Sequence, residues 1–126
     1  MKDGERNDMI TCYIRYEIDP DKVPEFEAYA KAWIALIPRF GGTHHGVFLP
    51  GEGPSDVAMV LFSFPSFAAY EDYKIACRKD PDCIETWAFA KAAGFMKRYD
   101  RLFFRPEFEG DLESFREMHR ALREEG

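Results

Sequence analysis

From Met9 to Ile18 apolar and polar positions alternate, with Ile10, Cys12, Ile14, Tyr16 and Ile18 on one parity and Thr11, Tyr13, Arg15 and Glu17 on the other. That is the period of a half-buried strand. The period then lengthens. Behind Pro24, the residues Val23, Phe26, Ala30, Trp33 and Ile37 recur at three- and four-residue steps, which predicts an amphipathic helix closed by Pro38 and the pair Gly41-Gly42. Thr43–Leu49 (THHGVFL) reads as a second strand and PGEGPS as a turn. Asp56–Phe64 (DVAMVLFSF) is apolar at both parities, so it is expected to be a strand covered on two sides. Ser66 is a good cap for a helix running to about Lys79, with Tyr70, Tyr73 and Cys77 inward. Asp80-Pro81 opens a third helix whose inner positions are Ile84, Trp87, Ala88 and Phe95, and Arg98–Arg105 (RYDRLFFR) is the last core strand.

Strand, helix, strand, strand, helix pair, strand, joined by right-handed crossovers, gives an α+β fold of the ferredoxin-like plan: a four-stranded antiparallel sheet with helices on one face. The third strand leaves apolar side chains on the other face as well. A second copy packing sheet to sheet, as a homodimeric α/β barrel, would cover it. Residues 1–8 are expected to be a flexible lead, 9–106 the barrel domain, and 107–126 an acidic arm carrying seven Asp or Glu against three Arg. In that arm Leu112, Phe115, Met118, His119 and Leu122 form a narrow apolar stripe, so an extra C-terminal helix over residues 111–124, packed through Phe115 and Met118, is expected.

Composition narrows the function classes. The chain has 126 residues, enough for one domain with a real core, and a net charge of −6 with no concentrated basic surface, which argues against nucleic acid. No run approaches the roughly 18 apolar residues of a membrane span. Cys12, Cys77 and Cys83 are odd in number and form no C-x-x-C pair, as expected of free thiols in the cytoplasm. They and the three histidines have no metal-ligand spacing, and no dinucleotide, P-loop or hydrolase motif is present; neither a metal nor a cofactor is expected.

Four stretches, PDKVPEF, MVLFSFPSFAAY, DPDC and YDRLFFRP, together with their spacing, make residues 10–106 resemble the NIPSNAP family. The family's first strand usually reads Tyr-x-Leu-Arg-x-Tyr. Here Tyr16 matches the second tyrosine, while the arginine falls one place later, at Arg15. Phe62 stands where the family often has Trp. The resemblance implies the dimeric α/β-barrel fold and no agreed reaction, because related barrels include cofactor-independent monooxygenases, peroxide-using haem enzymes, isomerases and plain binding modules.

Candidate chemistry is spread over several strands. His44 and His45 are adjacent on a strand and so point to opposite faces, one of them toward the helices, where an imidazole would be either a satisfied half-buried group or a proton donor or acceptor near neutral pH. Tyr13 with Arg15, and Tyr99 with Arg101, share strand faces and would orient a carbonyl or carboxylate, unless the arginines are occupied by Glu17, Asp100 or the dimer mate. Tyr29, Trp33, Tyr70, Tyr73 and Trp87 are expected under the sheet, as core or as the lining of a ligand cavity. Two functions follow. One is a homodimeric small-molecule-binding protein with an apolar, aromatic-lined pocket; the other is a cofactor-independent monooxygenase- or isomerase-like enzyme acting on an aromatic or apolar small molecule, with His44, His45, Arg15, Tyr99 and Arg101 as its catalytic candidates.

Overall fold

The computed structural model describes residues 8–125, so all but the last residue of the expected flexible lead lies outside the described residues. Strand β1 (Ile10–Ile18) has the face its alternation predicts, with Ile10, Cys12, Ile14, Tyr16 and Ile18 all buried. A single turn at Pro20–Lys22 leads into α1 (Val23–Arg39), which runs through Pro38 and stops one residue later. Strands β2 (Thr43–Phe48) and β3 (Val57–Phe64) follow, then α2 (Phe67–Cys77), α3 (Pro81–Ala93) and β4 (Met96–Phe104). The sheet order is β2-β3-β1-β4 with every neighbouring pair antiparallel, the ferredoxin-like arrangement. No helix among the described residues is long and apolar enough to cross a membrane.

Helix ends are held by the side chains the sequence offers for them. Ser66 Oγ accepts from the Ala69 N–H at 3.1 Å. Asp80 accepts from the N–H groups of Asp82 and Cys83 while Arg39, at the end of α1, donates to both of its carboxylate oxygens at 3.2 and 3.0 Å. That clamp fixes the rotation of α3 against α1, and it corrects the expected inner stripe. Cys83 and Thr86 are buried, with Ala90 and Ala93 packed on the core, whereas Ile84 and Trp87 are 49% and 39% exposed and Ala88 is exposed too. Phe95 is fully buried but lies beyond the helix, in the turn to β4. The main core joins the inner row of β1 to Phe26, Ile37, Phe64, Tyr70 and Phe95.

Beyond β4 the chain does something that periodicity does not reveal. Phe108 places its ring 5.4 Å from that of His45, on β2, the strand at the opposite edge of the sheet. Residues 105–108 therefore cross the outer face of the sheet, spanning three interstrand spacings of roughly 4.8 Å each. Thr11 and Ser63 lie on that outer face and are nonetheless buried. The helix that follows, α4 (Leu112–Glu125), forms as expected, with the Asp111 carboxylate accepting from the Ser114 N–H at 2.7 Å. Its stripe does not pack on the rest of the chain, contrary to the expected packing through Phe115 and Met118: Leu112, Phe115, Met118 and Leu122 are 58–66% exposed.

The junction between α1 and β2 is tight. A Cβ added to Gly42 would lie 2.7 Å from Ile37 Cγ2 and 2.8 Å from Phe64 Cζ, both on buried side chains. Gly42→Ala should lower the free energy of unfolding by about 1–3 kcal/mol through overpacking, measured as a shift in denaturant midpoint. Gly51→Ala, with open space around its Cβ, is the control and should leave the midpoint unchanged.

Candidate functional site

The inner face of the sheet and the helices above it enclose a cavity of about 180 Å³. Its floor is Ile14 and Tyr16 from β1 with Val60 and Phe62 from β3, and α1 contributes Trp33 and Ile37 to its roof. Tyr70, Tyr73 and Lys74 of α2 close one side, with Cys77 and Arg78 at the end of that helix; Trp87 of α3 and Arg101 of β4 complete the wall.

His44 enters from β2. The β2–β3 register slips between His44 and Gly46, so that His44 pairs with Phe62 and Gly46 with Leu61. Gly46 has φ of 128°, a conformation that glycine adopts readily and other residues do not. This bulge turns the Gly46 N–H toward the His44 ring, where it donates to Nδ1 at 3.0 Å. A nitrogen that accepts cannot carry the proton of a neutral imidazole, so the proton is on Nε2. Nε2 is buried and has no hydrogen-bond partner among the described residues. The ring stacks on Phe62 with centroids 6.4 Å apart. Burial, and then the neighbouring His45, push the imidazole below its ordinary value of 6.5.

A second donor has the same character. The Trp33 indole Nε1–H is buried, lies near the Tyr29 hydroxyl but outside hydrogen-bond geometry, and has no other partner among the described residues. Arg101 stands opposite Ile14 in the β1–β4 register, hence on the inner face, and donates to the Tyr70 hydroxyl at 3.3 Å. Burial raises the phenols of Tyr16, Tyr70 and Tyr73, so all three remain neutral hydroxyls near pH 7.

The candidate residues divide by face. His44, Arg101, Trp33, Tyr70, Tyr73 and Trp87 line the cavity. Tyr13 and Arg15 are on the outer face, opposite Leu102 and Asp100, where Arg15 pairs with Glu17 at 3.0 Å and the Tyr13 hydroxyl donates to Met59 Sδ at 3.5 Å. They therefore cannot act with Tyr99 and Arg101, which are on the other side of the sheet. His45 is also on the outer face, with Nε2 2.7 Å from Ser63 Oγ, which in turn lies 2.6 Å from Thr11 Oγ1. Tyr29 is a buried core residue and Tyr99 is half exposed at the edge strand; neither lines the cavity. Lys74 and Arg78 do, and sequence reasoning passed over them. For Lys74 a signal existed, since it follows Tyr70 by four residues on one helix face.

A model of the NIPSNAP family matches residues 12–108. The chain belongs to the NIPSNAP family. No curated protein matches it in sequence. Among solved structures, a NIPSNAP-like domain protein from Burkholderia xenovorans is similar at 17% identity, covering 83% of this chain and 90% of its own, with a TM-score of 0.67. A NIPSNAP family protein of unknown function from Agrobacterium tumefaciens aligns at 14% identity over 84% and 95% of the two chains, with a TM-score of 0.69. SnoaB, a cofactor-independent oxygenase from Streptomyces nogalater, shares the fold at 14% identity over 81% and 96%, with a TM-score of 0.58. In this NIPSNAP domain the cavity's strand-borne guanidinium comes from Arg101, directly across the ladder from Ile14.

Protonating His44 places a second N–H against the Gly46 N–H, so the folded state resists it. A depressed folded value means that the stability contributed by neutral His44 is fully present above pH 6.5 and is lost as the pH falls through the lower, folded value. By NMR, the His44 ring should titrate with a midpoint below 6.5; a midpoint at or above that value would contradict the Nε2–H assignment.

Proposed function

We propose that this NIPSNAP protein is a homodimer that binds a small aromatic molecule between sheet and helices, and that binding rather than turnover is its activity. The observation that carries this reading is the pair of buried, unpartnered donors, His44 Nε2–H and Trp33 Nε1–H, in an aromatic-lined cavity. Leaving a buried donor unsatisfied costs about 1–3 kcal/mol, and a ligand acceptor removes that penalty.

An enzyme of the cofactor-independent oxygenase class needs a group that takes a proton from its substrate. No Asp or Glu lines this cavity, the acceptor nitrogen of its one histidine is occupied by the Gly46 N–H, and its phenols are raised. The likeness to SnoaB therefore supports a shared architecture and leaves the base of such a reaction without a residue.

The dimer is supported by the outer face. Leu102 and Phe104 of β4 are 49% and 52% exposed, and Phe48, Met59 and Leu61 continue the same apolar surface across the sheet. A patch of that size in water marks an interface. The three cysteines are buried and free, which fits the cytoplasm as the protein's compartment.

Sedimentation should give twice the 14.6 kDa of the chain. Leu102→Glu should weaken the dimer by about tenfold or more, the value of one buried leucine; a parent that sediments as a monomer would sink the dimer. Native mass spectrometry of the gently purified protein should show an added aromatic mass that is lost in His44→Ala.

A further inference from the structure

The charge of the cavity wall runs against that of the chain. The protein carries −6 overall, yet the wall holds Lys74, Arg78 and Arg101 and no carboxylate. Lys74 is partly engaged, paired with Glu71 at 3.2 Å and poised 5.3 Å over the Tyr70 ring. Arg101 has no carboxylate within ion-pair distance among the described residues; its hydrogen bond goes to the neutral Tyr70 hydroxyl. Arg78 and Arg101 are also exposed, which places the positive charge where the cavity opens to water. The unpartnered Nε2–H of His44 is buried.

These two ends are spatially separate. Arg101 is on β4 and His44 on β2, the opposite edges of the sheet, with strand axes on the order of 14 Å apart. In register His44 is level with Phe62 and Cys12 and Arg101 with Ile14, two residues along β1, so the two groups face the cavity from diagonally opposite ends. The volume agrees: an apolar cavity of about 150 Å³ accommodates benzene, and this one is about 180 Å³. Between the ends the wall is apolar or aromatic, with Ile14, Val60, Phe62 and Trp33. A charged group is held most cheaply at the wet end beside a guanidinium, and a neutral oxygen at the dry end satisfies the imidazole N–H without burying charge.

Resting on the reading of the cavity as a ligand site, we infer that it selects a single-ring aromatic carboxylate bearing a neutral oxygen acceptor at the far end of the ring, with the carboxylate at Arg101 and the acceptor at His44 Nε2–H.

The chain has two tryptophans, Trp33 and Trp87, and both line the cavity, so intrinsic fluorescence reports its occupancy. Three probes separate the contributions: 4-hydroxybenzoate has both groups, benzoate lacks the far oxygen, and 4-methylphenol lacks the charge. The parent protein should bind 4-hydroxybenzoate about tenfold more tightly than either of the others, the scale of one charge-assisted hydrogen bond at the cavity mouth or of one hydrogen bond to a neutral acceptor at its buried end. Arg101→Gln should abolish the preference over 4-methylphenol, and His44→Phe the preference over benzoate. Equal affinities for all three in the parent, or preferences unchanged in the variants, would overturn the inferred ligand class while leaving a general aromatic pocket intact. Quenching by none of the three would remove the pocket reading and the ligand class together.

Discussion

Everything on the inner face is positioned by β1. It is a central strand, with β3 and then β2 across one edge and β4 across the other, and its two ladders run nearly its full length. Because side chains alternate with a period of two, the choice of inner parity on β1 decides the inner parity of every strand registered against it. Ile14 illustrates the transmission. Its burial brings Val60 and Val47 inward through β3 and β2, and it brings Arg101 inward through β4. A slip of one residue in the β1–β4 ladder would replace the Arg101 guanidinium with Asp100 or Leu102. The hydrophobic row that folds the protein is thus also the ruler that assembles its site.

The ruler is broken at the β2 bulge, and it is there that the site gains its most specific group. An uninterrupted β2 would give His44 an ordinary inward imidazole of undetermined tautomer. The Gly46 N–H, freed from the ladder by the register shift, resolves that ambiguity by occupying Nδ1. The same shift leaves His45 on the outer side, bonded to Ser63, which in turn bonds Thr11, and in ring contact with Phe108. Adjacent histidines therefore serve unrelated surroundings: one presents a donor to a cavity, the other joins a hydroxyl chain beneath the strap that crosses the sheet.

Much of this was legible in the sequence because long periodic segments dominate it. The alternation of Ile10 to Ile18 and the stripe of α1 are strong signals, and caps at Ser66 and Asp80 are local chemistry that tertiary structure did not alter. The inner face of α3 was not legible. Its buried contacts with α1 use Cys83, Thr86 and alanines, so Ile84 marks the wrong side for the core and Trp87, half exposed, reaches the cavity wall beside Trp33. Nor could spacing within β4 show that Tyr99 and Arg101 face away from Tyr13 and Arg15: sharing a face within a strand does not say which face, and that depends on the β1–β4 register. The crossing of residues 105–108 was invisible for the same reason, since no local pattern encodes a contact with His45 sixty-odd positions earlier.

The cavity's polar groups are hard to account for as structure alone. The core already has Phe26, Phe64 and Phe95 fully buried, together with Ile18 and Ile37. Replacing His44 and Trp33 with apolar side chains of similar shape would eliminate two unsatisfied donors, against the loss of the one hydrogen bond that the Gly46 N–H makes to His44 Nδ1. A fold that needed only stability would therefore have no use for an imidazole whose tautomer is set by a glycine bulge and whose proton meets nothing. Nor does the group behave as a buried structural histidine normally does, with both nitrogens satisfied. The imbalance is confined to the inner face: on the outer face His45, Ser63 and Thr11 bond to one another, and Arg15 pairs with Glu17. Among the described residues, the buried side-chain donors without a partner thus belong to residues that line the cavity, while the outer-face groups named here bond to one another.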